Sequence, residues 1–163
     1  MEPAYDIYEA TAAEGKWIGA ELPIDREERL ESWRRGLFEE RTAVMLVAES
    51  DGRVLGSASL SWAHHPCGGG VLDLGMSVAR DHRGRGIGKA LVRACIDRAR
   101  ALGAHKITLQ VWPHNTAARA LYERFGFVEE GYLRRHWQRR SGERWDAVVM
   151  GLLLDEDPPE RAL

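Results

Sequence analysis

The chain has 163 residues, 44% hydrophobic and 29% charged, with a net charge of −2. That balance suits one globular domain with a single core, and it gives no electrostatic footprint for nucleic acid. No apolar run approaches the ~20 residues of a membrane span, nothing reads as a signal peptide, and Cys67 and Cys95 make neither a disulfide framework nor a zinc ribbon, so a cytoplasmic, reducing location is expected.

Residues 5–14 read as a helix with Ile7, Tyr8, Ala10 and Thr11 inward, broken by Gly15-Lys-Trp-Ile-Gly19. Asp25, with Glu28 three residues on as in a capping box, opens a second helix whose buried side is Leu30, Trp33 and Leu37. Residues 43–48 read as a strand, Asp51-Gly52 as a hairpin turn and 53–62 as the returning strand, with Val54, Gly56, Ala58, Leu60 and Trp62 on one face. His64-His-Pro-Cys-Gly-Gly-Gly70 is a loop. His64, His65 and Cys67 lack a second half at ligand spacing, so no metal site is expected. Residues 72–78 are short and apolar, as a buried strand is. Gly84, Gly86 and Gly88 follow, then a helix with Leu91, Val92, Cys95, Ile96, Ala99 and Leu102 on one stripe, ended by Gly103. Another strand covers 107–111. Asn115 is an N-cap for a helix with Ala118, Leu121, Tyr122 and Phe125 on its stripe, closed by Gly126. Residues 127–137 and 144–154 alternate as a hairpin around Ser141-Gly142. The order is α-α-β-β-β-α-β-α-β-β, an α/β (α+β) class, in one domain over 1–155 with a short frayed tail at 156–163.

Strand, glycine loop and helix together make a phosphate cradle, because glycines let backbone approach a ligand and the helix N-terminus adds N–H groups facing an anion. Arg83 and Arg85 place cations at its mouth. The dinucleotide fingerprint fails, since its third glycine would fall on Lys89. The P-loop fails too, since Arg83 stands where its first glycine belongs and Ala90 follows Gly88-Lys89. What remains is Arg83-x-x-Gly86-x-Gly88 after a strand ending at Val78, which resembles the acetyl-CoA pyrophosphate loop of the GNAT N-acetyltransferases. Asn115-x-x-Ala118-x-x-Leu121-Tyr122-x-x-x-Gly126-Phe127 is similar to that family's second signature, in the right order and at the expected distance. The resemblance covers about residues 44–154.

The resemblance implies a GNAT fold, a mixed, mostly antiparallel sheet with flanking helices, and transfer of acetyl from the cosubstrate acetyl-CoA to an amine without a metal. The family's usual first strand has no counterpart before residue 5. Either this start is downstream of the usual one, or another segment covers the sheet edge. The family's fourth and fifth strands, here those ending at Val78 and Val111, splay to admit pantetheine. By the same carry-over, the Val78 N–H is the oxyanion donor with Met76 and Ser77 beside it. Gly84, Arg85, Gly86, Ile87, Gly88 and Lys89 take the pyrophosphate with Arg83. Asn115 and Ala118 meet the pantetheine arm, and Tyr122 is the general acid. The base stays open: Asp73 lies one residue past the family's common glutamate position, which is Leu72 here, and Glu14, Glu21, Glu130 or direct loss of the proton to water are alternatives.

An acceptor pocket is expected between Trp17 and Ile18 after the first helix and Tyr132, Arg134 and His136 on the last hairpin. The stretches around them look like the branch holding amino-acid N-acetyltransferases and ribosomal-protein N-terminal acetyltransferases. A small α-amino compound is the expected acceptor, with a protein N-terminus or a non-catalytic acetyl-CoA-binding role as alternatives. A homodimer is expected from the under-covered sheet edge and the apolar last hairpin.

Overall fold

The computed structural model describes residues 1–63 and 69–155. Helix α1 (Glu2–Ala13) and helix α2 (Arg26–Arg34), which runs on into a single π turn (Arg35–Glu39), come first. Six strands follow: β1 (Ala43–Ser50), β2 (Arg53–Trp62), β3 (Val71–Val78), β4 (Lys106–Val111), β5 (Val128–Gln138) and β6 (Arg144–Leu153). Helix α3 (Ile87–Ala101) crosses from β3 to β4, and α4 (Thr116–Arg124) lies between β4 and β5. The element order is the one expected from sequence. Among the described residues no strand precedes α1, and β1 stands at the sheet edge. The metal reading weighed for His64, His65 and Cys67, like the tail at 156–163, lies outside the described residues.

Local chemistry accounts for most boundaries. Asp25 caps α2 by accepting the Glu28 N–H at 2.9 Å. Asp51 and Gly52 both take left-handed φ, 52° and 72°, the mirror-image turn whose twist matches two antiparallel strands. Helix α1 turns a different stripe inward from the one expected: Ala4, Tyr5, Ile7, Thr11 and Ala12 are buried, Tyr8 is half-buried and Ala10 is exposed. Spacings of three and four from Ala4 reach Ile7 and Thr11 but pass over Ala10. Leu30, Trp33 and Leu37 are on the inner side of their helix yet only half-buried. Trp33 packs edge-on against Tyr5 and Tyr8 at 6.1 and 5.6 Å, so α2 rests on α1 rather than on the sheet.

The strand order is β1-β2-β3-β4-β6-β5. One face carries the main core, where Leu60, Leu72, Val92, Cys95, Ile107, Phe127 and Met150 are almost wholly buried beneath α3 and α4. Cys95 is a core residue as expected, its thiol pushed up to about 12 by burial. The other face carries α1, which packs on β2 and β3. Alternation along the strands assigns Asp73, Gly75 and Ser77 of β3 and Thr108 and Gln110 of β4 to this α1 face.

Candidate active site

The site begins where the sheet comes apart. β3 and β4 run parallel and hold register for three pairs, Val71↔Lys106, Leu72↔Ile107 and Asp73↔Thr108. Beyond them β3 stays with β2 as far as Gly56↔Val78, and β4 stays with β6 as far as Val111↔Val148. The two strands therefore part, as the family resemblance implies. Bonds from Ala63 N to Val71 O (3.0 Å) and from Ala79 N to Leu55 O (2.9 Å) put the odd-numbered residues of β3 into the β2 ladder. The C=O of Leu74 and the N–H and C=O groups of Met76 and Val78 consequently face the gap. Met76 and Val78 are thus set along the gap. Ser77 is not: its backbone lies opposite Ser57 and its side chain is buried on the α1 face.

The glycine loop sits at the mouth of this gap. Gly84 and Gly86 adopt φ of 74° and 86°, and a Cβ added to either would meet nothing within 4 Å, so open space lies in front of both. Among the described residues no acceptor takes the N–H groups of Gly84, Arg85, Gly86, Ile87, Gly88 or Lys89, and helix α3 starts behind them. Six bare N–H groups at a 15-residue helix N-terminus form an anion cradle that fits a pyrophosphate. Arg85 and Lys89 are exposed beside it. Ile87 packs into the core. At Gly88 an added Cβ would stand 3.1 Å from Leu121 Cδ2 and 3.6 Å from Met76 Cε, so glycine lets α3 close against α4 and β3.

Helix α4 supplies the other wall. Asn115 caps it, its Oδ1 accepting the Ala118 N–H at 3.3 Å, which leaves the side-chain amide N–H groups free to turn outward. Ala118 is half-buried against the core. Tyr122 is 6% exposed, with its ring 5.5 Å from that of Phe127. Its hydroxyl has no partner among the described residues, yet it is not sealed off as a buried orphan. Burial, with a smaller effect of Cys95, pushes the phenol far above its ordinary value. It is held protonated at neutral pH, the state a proton donor needs.

On the α1 face the structure regroups the residues. Glu14 accepts both Arg83 guanidinium nitrogens, at 2.9 and 2.6 Å, and the Trp17 indole N–H at 2.6 Å, while Arg83 Nε donates to Val78 O at 3.0 Å. Arg83 therefore does not point its charge into the cradle as the sequence suggests. Trp17 faces the His114 ring at 6.4 Å, and His114 Nε2 is 2.8 Å from Lys16 O. Ile18 is half-buried in the same loop. His114 and Trp112 both pack edge-on against Trp145, each at 5.3 Å. Arg139, 6% exposed, lies over the Trp145 ring at 4.5 Å and pairs with Glu21 at 3.2 Å. A cavity of about 280 Å³ between the end of α1 and the β5–β6 turn is lined by Gly15, Glu21, Arg139, Ser141 and Trp145, among others.

Trp112, His114, Arg139 and Trp145 were not legible as a group. The one signal was the density of tryptophan flanking the hairpin. The residues expected opposite Trp17 lie elsewhere: Tyr132 pairs with Val148 in the ladder, which puts it on the core face, and its hydroxyl donates to Asp146 at 2.7 Å. Arg134 lies in the bulged stretch between Leu133 and Trp137, where its charge acts on the same Asp146. His136 packs edge-on against Trp137 at 5.0 Å. Within the bulge Arg135, at φ 50°, donates its backbone N–H to Asp146 Oδ1 at 2.6 Å, an arrangement invisible in a simple alternation.

Three of the four carboxylates weighed as base are occupied. Glu14 is held by Arg83, Glu21 by Arg139, and Glu130 by Lys106 at 2.7 Å. Asp73 has no ion pair among the described residues, and partial desolvation raises its pKa, as suits a base. At ~3.3 Å per residue its Cα lies ~16 Å along β3 from that of Val78, so a proton reaching Asp73 from an amine held there travels through water.

Glu14 has a second consequence. The hydrogen bond from Arg83, chiefly, and that from Trp17 hold its carboxyl below the ordinary value of 4.5, although burial pulls the other way. A depressed folded-state pKa contributes stability that is complete above the unfolded value and lost as pH falls through the folded one. The difference in melting temperature between wild type and Glu14→Gln is therefore expected to be full above about pH 5 and to shrink below pH 4.5. A difference that stays constant down to pH 3 rejects the ion pair as its source.

Comparisons with known proteins agree with this geometry. The L-methionine sulfoximine/L-methionine sulfone acetyltransferase of Pseudomonas paraeruginosa is 30% identical over 151 residues, 91% of this chain and 86% of that protein. A ribosomal-protein-alanine N-acetyltransferase from Brucella melitensis superposes with a TM-score of 0.83 at 29% identity, covering 91% of each chain. An acetyltransferase from Salmonella typhimurium, solved with its cofactor acetyl-CoA, gives 0.82 at 25% identity over 99% of this chain and 94% of that one. The model of the Acetyltransferase (GNAT) family matches residues 4–127, and with the parted strands, the bare loop and the buried tyrosine in place, the chain belongs to that family.

Proposed function

We propose that the protein transfers acetyl from acetyl-CoA to the primary amine of a small α-amino compound. The observation that carries this is the gap between β3 and β4, with unpaired N–H groups of Met76 and Val78 along one side and the bare loop at its mouth. Acetyl-CoA supplies the activated acyl group as a thioester. The N–H groups of residues 84–89, with Arg85 and Lys89, hold its pyrophosphate. Met76, Val78, Asn115 and Ala118 line the pantetheine arm. The Val78 N–H, with that of Met76 beside it, stabilises the charge that develops on the carbonyl oxygen as the C–N bond forms. Tyr122 gives its proton to the sulfur as the C–S bond breaks, and the amine's proton leaves through water toward Asp73.

The acceptor enters on the α1 face, against Trp17 and Ile18. The α1–α2 loop is fastened across this face by Arg139, and by Arg140, which donates to Leu22 O at 3.1 Å and Pro23 O at 3.2 Å. A fastened loop narrows the entrance and favours a small molecule over an extended peptide. The relative that acts on L-methionine sulfoximine and L-methionine sulfone supports the same class. The structural neighbour named for a ribosomal protein keeps a protein N-terminus as the second reading.

The deciding experiment is thiol release from acetyl-CoA with free amino acids, L-methionine sulfone, short peptides, spermidine and an aminoglycoside at equal concentration. The highest kcat/KM is expected with a free α-amino acid or its sulfone, and a maximum with spermidine or the aminoglycoside rejects the reading. Tyr122→Phe keeps the ring against Phe127, and its turnover is expected to fall about 10²-fold. A wild-type rate would make Tyr122 a packing residue.

We also infer a cytoplasmic homodimer. Val47 on the edge strand β1 and Phe38 before it are 49% and 66% exposed, which supports apolar pairing at that edge. Light scattering that finds an 18.3 kDa monomer at micromolar concentration rejects the dimer.

A further inference from the structure

Arg83 stands at the first position of the glycine motif, where a cation for phosphate is expected, yet each of its three nitrogens donates elsewhere. Nη1 and Nη2 go to Glu14 and Nε goes to Val78 O. Each contact has a physical cause. The Val78 carbonyl faces the gap, where β4 has already left, and the guanidinium supplies the donor that a ladder partner would otherwise provide. Arg83 and Glu14 side chains are only 32% and 16% exposed, and a half-buried guanidinium needs a compensating carboxylate. Glu14 extends the chain of bonds to Trp17. One path, Val78–Arg83–Glu14–Trp17, thus ties the oxyanion end of β3 to the acceptor loop.

The geometry points to Arg83 and Glu14 as a positioning pair. They fix the Val78 peptide relative to Trp17, so that an amine seated on the loop meets a carbonyl seated on the strand. Arg83 is not a phosphate ligand, and Glu14 is not the base. The cradle keeps Arg85 and Lys89 as its cations; neither has an ion pair among the described residues. This inference rests on the acetyl-transfer reading above.

The test uses the full chain and four variants: Glu14→Gln, Arg83→Lys, Arg83→Gln and Trp17→Phe. Calorimetry with CoA reads the cradle, and steady-state rates with L-methionine sulfone read the reaction. All four variants are expected to bind CoA within about threefold of wild type, since Arg83 does not touch phosphate. Glu14→Gln and Arg83→Lys should lose about 10- to 100-fold in kcat, because small misplacements of reacting groups cost that much. Lysine cannot rescue, having no fork to hold Glu14 and Val78 together. Trp17→Phe should raise the acceptor KM with CoA affinity unchanged. Glu14→Gln combined with Arg83→Lys should be no worse than the poorer single variant, as for two residues acting as one unit. A tenfold loss of CoA affinity in Arg83→Gln, with Arg83→Lys at the wild-type rate, makes Arg83 a phosphate ligand and overturns the inference. A wild-type kcat in Glu14→Gln overturns it as well. Should the wild type acetylate no amine, the acetyl-transfer reading fails instead, and the CoA arm still decides whether Arg83 meets phosphate.

Discussion

A sheet that parts in its middle leaves hydrogen-bonding groups without partners, and buried backbone does not tolerate that for free. Three register pairs join β3 to β4, and everything after them on the facing edges must be satisfied by something other than a strand. Side chains answer part of that demand, and other N–H groups stay open along the gap and the loop. Arg83 closes the Val78 carbonyl from the loop side. Glycine at 88 lets α3 approach, so Met76 and Leu121 crowd the base of the gap rather than leaving it hollow.

From that gap the two faces of the sheet take different work. The α3–α4 face is dry and apolar, and it holds Tyr122 protonated beside Cys95 and Phe127. The α1 face is polar and aromatic, with half-buried ion pairs set among tryptophans. In the proposed reaction a neutral acid would reach the gap from one side and an amine and water from the other, so proton donor and proton acceptor would be kept apart by the thickness of the sheet.

Where residue type and spacing act through short-range geometry, the sequence was readable. Asp25 and Asn115 are caps because their side chains reach an N–H three residues on, and nothing distant alters that. The glycine loop and the α4 stripe were legible for the same reason. The α1 face was not. Arg139 reads as one more charged turn residue until the fold brings it over Trp145 and beside Glu21, more than a hundred positions away in the chain. Tyr132 and Arg134 are expected on the acceptor side from their place in the last hairpin, but that strand contains bulges, and each bulge resets which face follows. Arg83 was legible as a conspicuous cation but not as a partner of Glu14, 69 positions earlier.

The open N–H groups of the gap and the loop also bear on how long the molecule lasts. A ligand that fills them binds the folded chain and not the unfolded one, so it adds RT ln(1 + [L]/Kd) to stability, about 2.7 kcal/mol when free ligand stands at a hundred times Kd. Domains of this kind hold only about 5–15 kcal/mol in all. With CoA as the ligand proposed above, the melting temperature should climb with the logarithm of its concentration. In a cell short of CoA the enzyme would lose resistance to unfolding and proteolysis as well as speed, so its abundance would follow the supply of its own cosubstrate.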